Sequence, residues 1–171
     1  LSQDIQKEAE ISLNKLDWSN PVLVHRDFHA QNLIYRYEQS GLAQMGVLDF
    51  QDAQLGHPLY DVTSLIHDAR RILNPSVVSL LLQELTKTYR GQDDFKYAFA
   101  TLSAQRNLRV LGVFSRLCLR DKKPSYINLI PHVWNNLWKD LSHPLLRNLS
   151  KICESLPTPS PSFLEGLRKN G

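Results

Sequence analysis

The sequence has few cysteines and no long apolar run. Cys118 and Cys153 are its only cysteines, and they form neither a CxxC pair nor the dense pattern of a small secreted domain. We therefore predict a protein of a reducing compartment, with two packing thiols and no cysteine-based metal site. No apolar stretch is long enough to span a bilayer, and the start shows no signal-peptide pattern. These two absences predict a cytoplasmic protein without a membrane partner.

A strong excess of one charge is also absent. The 171 residues carry 20 Lys and Arg against 17 Asp and Glu, a net charge of +3. The basic residues are scattered, which suits an anionic small ligand such as a nucleotide and does not indicate a nucleic-acid partner. Hydrophobic and charged fractions of 42% and 22% are ordinary for a globular protein. We expect one domain or one lobe of a larger fold.

The spacing of apolar residues predicts an α+β architecture. Two apolar strands, 22–24 and 33–35, precede a third that ends at Asp49, with a turn at 38–41 between the second and third. An amphipathic helix is predicted before the strands, over 2–16, and only helical signals follow them. The later helices are predicted over 61–73, 74–89, 95–119, 126–141 and 144–156.

The composition changes near the end of the chain. We assign residues 1–156 to a mainly helical lobe with a small β-hairpin layer. Residues 157–171 form a Pro- and Ser-rich tail, whose first part, 157–161, is predicted to be extended and polyproline-like.

Three oxygen-bearing side chains lie at the ends of the predicted strands. Asp27 lies in the loop after the first strand, Asn32 follows five residues later, and Asp49 ends the third strand. Because a hairpin brings strand ends together, we expect these side chains to be grouped. Phosphoryl transfer needs such a grouping, since carboxylate and amide oxygens position metal ions and one carboxylate orients the attacking hydroxyl.

Around these residues the sequence resembles eukaryotic-like kinases. His25-x-Asp27 with Asn32 five positions after the Asp, followed by Asp49-Phe50, is similar to their catalytic loop and metal-binding segment. The fuller form, His-x-Asp-Phe-His-x-x-Asn with Leu-Asp-Phe-Gln-Asp, resembles the aminoglycoside phosphotransferase and choline kinase superfamily. Within that superfamily, the bacterial anomeric kinases of N-acetylmuramate and N-acetylglucosamine are most similar over 24–29, 46–53 and 105–117.

The resemblance implies a role for each residue of the motif. Asp27 would orient the attacking hydroxyl and accept its proton, and Asn32 and Asp49 would hold Mg²⁺ and, through it, ATP. His25 would brace the catalytic loop. Asp61 would hold the backbone of that loop from beneath, and we also expect it to cap the helix that it begins.

Other polar residues are weaker candidates for contact with substrate. His29 either packs within the loop or contacts phosphate or substrate, and Asp52 either turns toward the acceptor sugar or is exposed. On the long predicted helix, Arg106 and Arg116 are candidates for binding the acceptor's carboxylate, because Arg binds carboxylates in a bidentate manner. The alternative for these arginines is a solvated helix face with local ion pairs. Similarly, the Trp134 side chain and its neighbour Trp138 either stack on a sugar ring or belong to the core.

A kinase of this type also needs a nucleotide-binding lobe upstream, with a phosphate-covering loop and a Lys–Glu pair. No Gly-rich loop precedes His25, and the first residue is Leu1. We therefore predict the C-terminal, substrate-binding lobe of a larger enzyme, inactive by itself without its N-terminal lobe. The expected reaction is ATP- and Mg-dependent phosphorylation of the anomeric hydroxyl of an amino sugar, as in cell-wall recycling.

Other functions stay open. An aminoglycoside, choline or other amino alcohol is an alternative acceptor, although an aminoglycoside site should be lined by carboxylates. The chain could instead be a binding module without turnover. A third reading takes His25, Asp27, His29, Asp49 and Asp52 as a metallohydrolase cluster, in which Asn32 would have no role.

Overall fold

The computed structural model describes residues 2–89 and 91–170, with the side chain of residue 170 left out. The chain divides into two compact units. A strand-bearing unit consists of Asp17–Lys87, and a helical unit combines Leu1–Leu16 with Thr88–Gly171. Helices predominate and the strands are few and short, which confirms the predicted α+β class.

The strand-bearing unit contains two small antiparallel sheets. In the first, β1 pairs with β4, and Val22 is opposite Gly56. In the second, β2 pairs with β3, and Leu33 is opposite Val47, so these two strands form the predicted hairpin. The four strands are β1 (Val22–Val24), β2 (Leu33–Tyr35), β3 (Met45–Val47) and β4 (Gln54–Gly56).

The predicted bounds of β1 and β2 are confirmed, whereas the predicted end of the third strand is wrong. β3 ends at Val47, two residues before Asp49, because Asp49 has a φ of +62° and a left-handed residue cannot continue a strand. β4 (Gln54–Gly56) was not among the predicted strands. A Cβ at Gly56 would lie 2.6 Å from Cγ2 of Val24, so β1 and β4 approach too closely at this point for any side chain.

Two helices complete this unit, α2 (Tyr60–Ile66) and α3 (Pro75–Lys87). The expected start of α3 is confirmed, but α2 ends at Ile66 instead of near Leu73. Asp61 is not the N-cap of α2, because Leu59 has that position and Asp61 lies within the first turn. Its carboxylate is engaged elsewhere, with the backbone of a loop.

Among the described residues, the helical unit has five α-helices and two short 3₁₀ segments. All predicted helices of this region are present, although 3₁₀ turns at Pro124–Leu129 and Pro144–Leu146 replace the predicted first turns of α5 and α6. The helices are α1 (Ser2–Leu13), α4 (Gln92–Leu119), α5 (Ile130–Leu141), α6 (Arg147–Cys153) and α7 (Pro161–Asn170).

The predicted extended tail is only partly correct. Residues 157–160 lack regular structure, but Pro161 begins α7. Proline suits the first turn of a helix because the backbone N–H groups of that turn have no intrahelical acceptor, so the N–H that proline lacks is not needed there. Leu167 of this helix is buried, which gives the tail an apolar anchor that its Pro- and Ser-rich start does not indicate.

The core of the helical unit lies where α4 packs against α5. Fully buried side chains include Leu102 and Leu137 from these helices. Both cysteines are free and buried, as predicted, and burial raises the pKa of the Cys153 thiol to about 11. A buried carboxylate, Asp140, accepts hydrogen bonds from Ser103 Oγ (2.6 Å) and Asn107 Nδ2 (3.0 Å). Over the described ranges, none of the helices combines the length and apolar character needed to cross a membrane.

Candidate active site

The loop that joins β1 to β2, residues 25–32, is held by a carboxylate from α2. Oδ2 of Asp61 accepts a hydrogen bond from the backbone N–H of His25 at 2.6 Å, and Oδ1 accepts one from Arg26 at 3.0 Å. Arg26 has a φ of +73°, a left-handed conformation that costs free energy for a residue with a side chain. Two bonds to one ionised group therefore stabilise the loop at its strained residue.

His25 connects this loop to the segment before Asp49. The His25 ring is buried, and its Nδ1 lies 3.3 Å from the backbone N–H of Asp27, which makes Nδ1 the acceptor. The other nitrogen, Nε2, therefore carries the proton and donates to the carbonyl of Leu48 at 2.6 Å. A single neutral imidazole thus fixes the separation between the backbone at Asp27 and the end of the hairpin.

Asn32 is fixed at the start of β2 by two bonds. Its Nδ2 donates to the backbone carbonyl of Asp27 at 3.0 Å, and its own carbonyl accepts the N–H of Leu48 at 2.9 Å. The first bond uses the amide nitrogen, so the Oδ1 oxygen is the atom left to bind a metal. The second places Asn32 beside the residue that precedes Asp49.

Asp49 is exposed immediately beyond the end of β3. Its left-handed backbone turns the chain out of the strand, and its Oδ1 accepts a hydrogen bond from Gln51 Nε2 at 2.9 Å. The second carboxylate oxygen remains for another ligand. One carboxylate and one amide oxygen suit Mg²⁺, which takes few protein ligands and fills its octahedron with water and substrate phosphates. The donor set of Asn32 and Asp49 therefore fits the metal that the resemblance implies.

A larger metal cluster is not seen among the described residues. Within residues 2–89 and 91–170, no three His, Cys, Asp or Glu side chains are grouped so that they could hold one ion. The metallohydrolase alternative would need such a cluster.

His29 lies inside the loop, against the residue predicted to be catalytic. It is buried, and its Nε2 is 3.3 Å from Oδ2 of Asp27, whose side chain is 56% exposed. The Nδ1 of His29 accepts the N–H of Gln31 at 3.2 Å and so caps the short 3₁₀ helix Ala30–Asn32. His29 thus packs within the loop and also contacts the Asp27 carboxylate.

One residue that contacts the loop was missed by sequence reasoning. Asp68 is 2% exposed, and it accepts the N–H of Ala30 at 3.4 Å and the N–H of Arg70 at 2.9 Å. Asp bonds readily to nearby backbone in non-helical conformations, which accounts for the early end of α2. The only available signal was an Asp in the interior of a predicted helix, and that signal is weak.

The weaker candidates belong to different elements of the chain. Asp52 is exposed, and its backbone carbonyl accepts a long 3.5 Å hydrogen bond from Arg26. Arg106 and Arg116 belong to α4 of the helical unit, where the first is buried and the second is exposed. Arg106 is therefore not part of a solvated helix face. A role of the two arginines in binding substrate stays a prediction. Trp134, half-buried, packs edge-to-face against Trp138, with ring centroids 5.7 Å apart.

The fold and the 25–32 loop define a class of protein, the kinase-like phosphotransferases. The sequence profile described as "Phosphotransferase enzyme family" matches residues 3–95, more than half of the chain. The chain belongs to this family. The predicted resemblance at the level of the superfamily is therefore confirmed.

Three curated proteins are similar to this chain over most of its length. A protein of Caulobacter vibrioides is 41% identical over 130 residues, which cover 75% of this chain and 36% of the relative. A protein of Pseudomonas aeruginosa is 36% identical over 145 residues, which cover 80% of this chain and 41% of the relative. A protein of Neisseria meningitidis serogroup B is 36% identical over 124 residues, which cover 68% of this chain and 36% of the relative. All three are named N-acetylmuramate/N-acetylglucosamine kinase. The chain spans about two fifths of their length.

Proposed function

We propose that this chain supplies the catalytic lobe of an ATP- and Mg-dependent kinase that phosphorylates the anomeric hydroxyl of an amino sugar. The observation that carries the proposal is the 25–32 loop, in which Asp27 is exposed and hydrogen bonds hold Asn32 next to the end of β3. The names of the relatives support N-acetylmuramate or N-acetylglucosamine as the acceptor. A role in cell-wall recycling in the cytoplasm is part of the same proposal.

In this mechanism the residues of the 25–32 loop, together with Asp49 and Asp61, have separate tasks. The Asp27 carboxylate orients the sugar hydroxyl and accepts its proton as the bond to the γ-phosphorus forms. Asn32 Oδ1 and the Asp49 carboxylate would hold the magnesium, which when bound neutralises charge on the phosphates. Asp61 and His25 keep these groups in register through backbone atoms, so they act on the reaction through position.

The proposed reaction also needs groups that bind the phosphates of the nucleotide. A phosphate-covering loop and a Lys–Glu pair would belong to the part of the relatives that this chain does not match, which is more than half of each. We infer that the isolated chain does not turn over substrate.

Phosphorus NMR of the complete gene product tests the proposal. The protein is mixed with ATP, Mg²⁺ and, in turn, N-acetylmuramate, N-acetylglucosamine, choline and an aminoglycoside. A sugar 1-phosphate resonance that is absent with Asp27→Asn is the expected result. A product with choline or the aminoglycoside alone would overturn the sugar assignment and keep the kinase. Transfer to none of the four by a protein that binds ATP would favour a binding module.

The metal ligands can be tested on the chain itself. Mn²⁺, which replaces Mg²⁺ at oxygen sites and broadens nearby NMR signals, should broaden the backbone signals of Asn32 and Asp49 first. Asn32→Ala and Asp49→Ala should each weaken the effect, whereas the neighbouring Asp52→Asn, a matched change of one charge, should not. If Asp52→Asn weakened the broadening as much as Asp49→Ala does, the assignment would be contradicted.

A further inference from the structure

The proposed mechanism gives no task to His29, although this residue lies beside Asp27. It is 5% exposed although it lies on a loop, while the neighbouring Asp27 side chain is mostly exposed. Burial of an imidazole is favourable only when its polar nitrogens have partners. Both of its nitrogens do: Nδ1 faces the N–H of Gln31 and Nε2 faces Oδ2 of Asp27.

These partners fix the tautomer of the ring. A backbone N–H can only donate, so the Nδ1 of His29 must accept from Gln31 and carry no proton. The neutral ring then has its proton on Nε2, 3.3 Å from the Asp27 carboxylate. A neutral imidazole in this tautomer both caps the 3₁₀ helix Ala30–Asn32 and donates to Asp27.

We propose that His29 is a positioning residue that holds Oδ2 of Asp27 and so presents Oδ1 to the acceptor hydroxyl. The inference rests on the proposed function. In the transfer step the hydroxyl oxygen forms its bond to the γ-phosphorus, the bond from that phosphorus to the leaving oxygen of the nucleotide breaks, and the hydroxyl proton passes to Oδ1. Because an exposed carboxylate otherwise rotates freely, His29 provides the constraint that keeps one oxygen aimed at the substrate.

The two ring nitrogens can be separated by substitution. In His29→Asn, the amide oxygen can take the place of Nδ1 and keep the bond from Gln31, but the side chain is too short to reach Asp27. In His29→Gln, the longer side chain brings its NH₂ to the place of Nε2 and can still donate to the carboxylate. His29→Asn therefore tests the loss of the donor at the position of Nε2. His29→Gln tests whether a replacement donor at that position restores the effect on Asp27.

The experiment measures kcat and KM of the complete gene product with the sugar that it phosphorylates. His29→Asn should lower kcat by about 10- to 100-fold, the loss typical when the hydrogen-bond partner that orients a metal ligand is removed. The KM values for sugar and nucleotide should stay within about twofold, because His29 is not proposed to touch either substrate. His29→Gln should recover most of the kcat. Equal losses in the two variants, or a loss expressed in KM, would overturn the inference.

The double variant separates a failure of this inference from a failure of the proposed function. In the Asp27→Asn background, His29→Asn should have no further effect on the residual rate, since the carboxylate that it orients is gone. If Asp27→Asn abolishes transfer and His29→Asn retains full kcat, His29 has no positioning role and the kinase assignment stands. If Asp27→Asn retains full transfer, the proposed function itself is wrong.

A measurement on this chain needs no turnover. The ¹⁵N shifts of the His29 ring should show a protonated Nε2 and an unprotonated Nδ1. The opposite tautomer would overturn the inference, because Nε2 could then not donate to Asp27.

Discussion

Replacement of Asp61 by Asn gives the sharpest test of how the 25–32 loop is held. The carboxylate accepts two backbone N–H groups, from His25 at 2.6 Å and from Arg26 at 3.0 Å, with one oxygen each. Asn has one carbonyl oxygen and one NH₂ group of nearly the same shape. One N–H therefore keeps an acceptor, and the other faces a donor.

The size of the effect follows from these bonds. A hydrogen bond to an ionised group contributes about 1.5–3 kcal/mol to stability, and a neutral one about 1 kcal/mol. Asp61→Asn replaces two hydrogen bonds to an ionised group with one neutral hydrogen bond. We therefore expect the free energy of unfolding to fall by about 2–5 kcal/mol. That loss is a large fraction of the 5–15 kcal/mol typical of a domain.

Urea unfolding of the 171-residue chain at pH 7, followed by circular dichroism, measures this difference. Glu38→Gln is the matched control, since it removes one negative charge from an exposed position of the same unit. The control should stay within about 0.5 kcal/mol of the wild type. If Asp61→Asn were as stable as the control, the two bonds would not hold the loop, and the account of its strained residue would be wrong.

Three further predictions concern stability and use the same unfolding assay. Gly56→Ala should destabilise the chain by about 1–3 kcal/mol, because the new Cβ would collide with Val24; an unchanged midpoint would contradict the close approach of β1 and β4. Gly112→Ala should stabilise it by about 0.5–1 kcal/mol, since Gly112 lies within α4 and a Cβ there meets no atom within 4 Å; destabilisation would contradict this reasoning. Burial lowers the pKa of His57 below its usual 6.5, so the free energy of unfolding should be highest above about pH 6.5 and fall as the pH drops toward the folded-state pKa. His57→Gln should flatten that dependence, and an equally steep one would refute it.

The sequence predicted the elements whose signals are local. The bounds of β1 and β2 follow from short apolar runs, and α4 follows from a long stretch with helical signals only. The motif from His25 to Asp49 identified the family because its spacing is specific. In each case the residues that determine the structure lie within the element itself.

What the sequence did not reveal depends either on partners distant in the chain or on local signals that fit more than one structure. The end of β3 depends on the left-handed backbone of Asp49, and the early end of α2 reflects Asp68, which accepts the N–H of Ala30, 38 residues away. Asp61 looked like an N-cap because its type suits that position, yet its carboxylate accepts the backbone N–H groups of His25 and Arg26 in the loop after β1. α7 was missed because prolines before a helix resemble prolines in an extended tail.

The measurement that tests the central claim most directly is the rate of phosphoryl transfer by the complete gene product with Asp27→Asn. Asn keeps the volume of the side chain but cannot accept the hydroxyl proton, so we expect kcat to fall by about 10²- to 10⁴-fold while ATP still binds with wild-type affinity. A variant that transfers phosphate to the sugar at the wild-type rate would show that the 25–32 loop is not the catalytic centre.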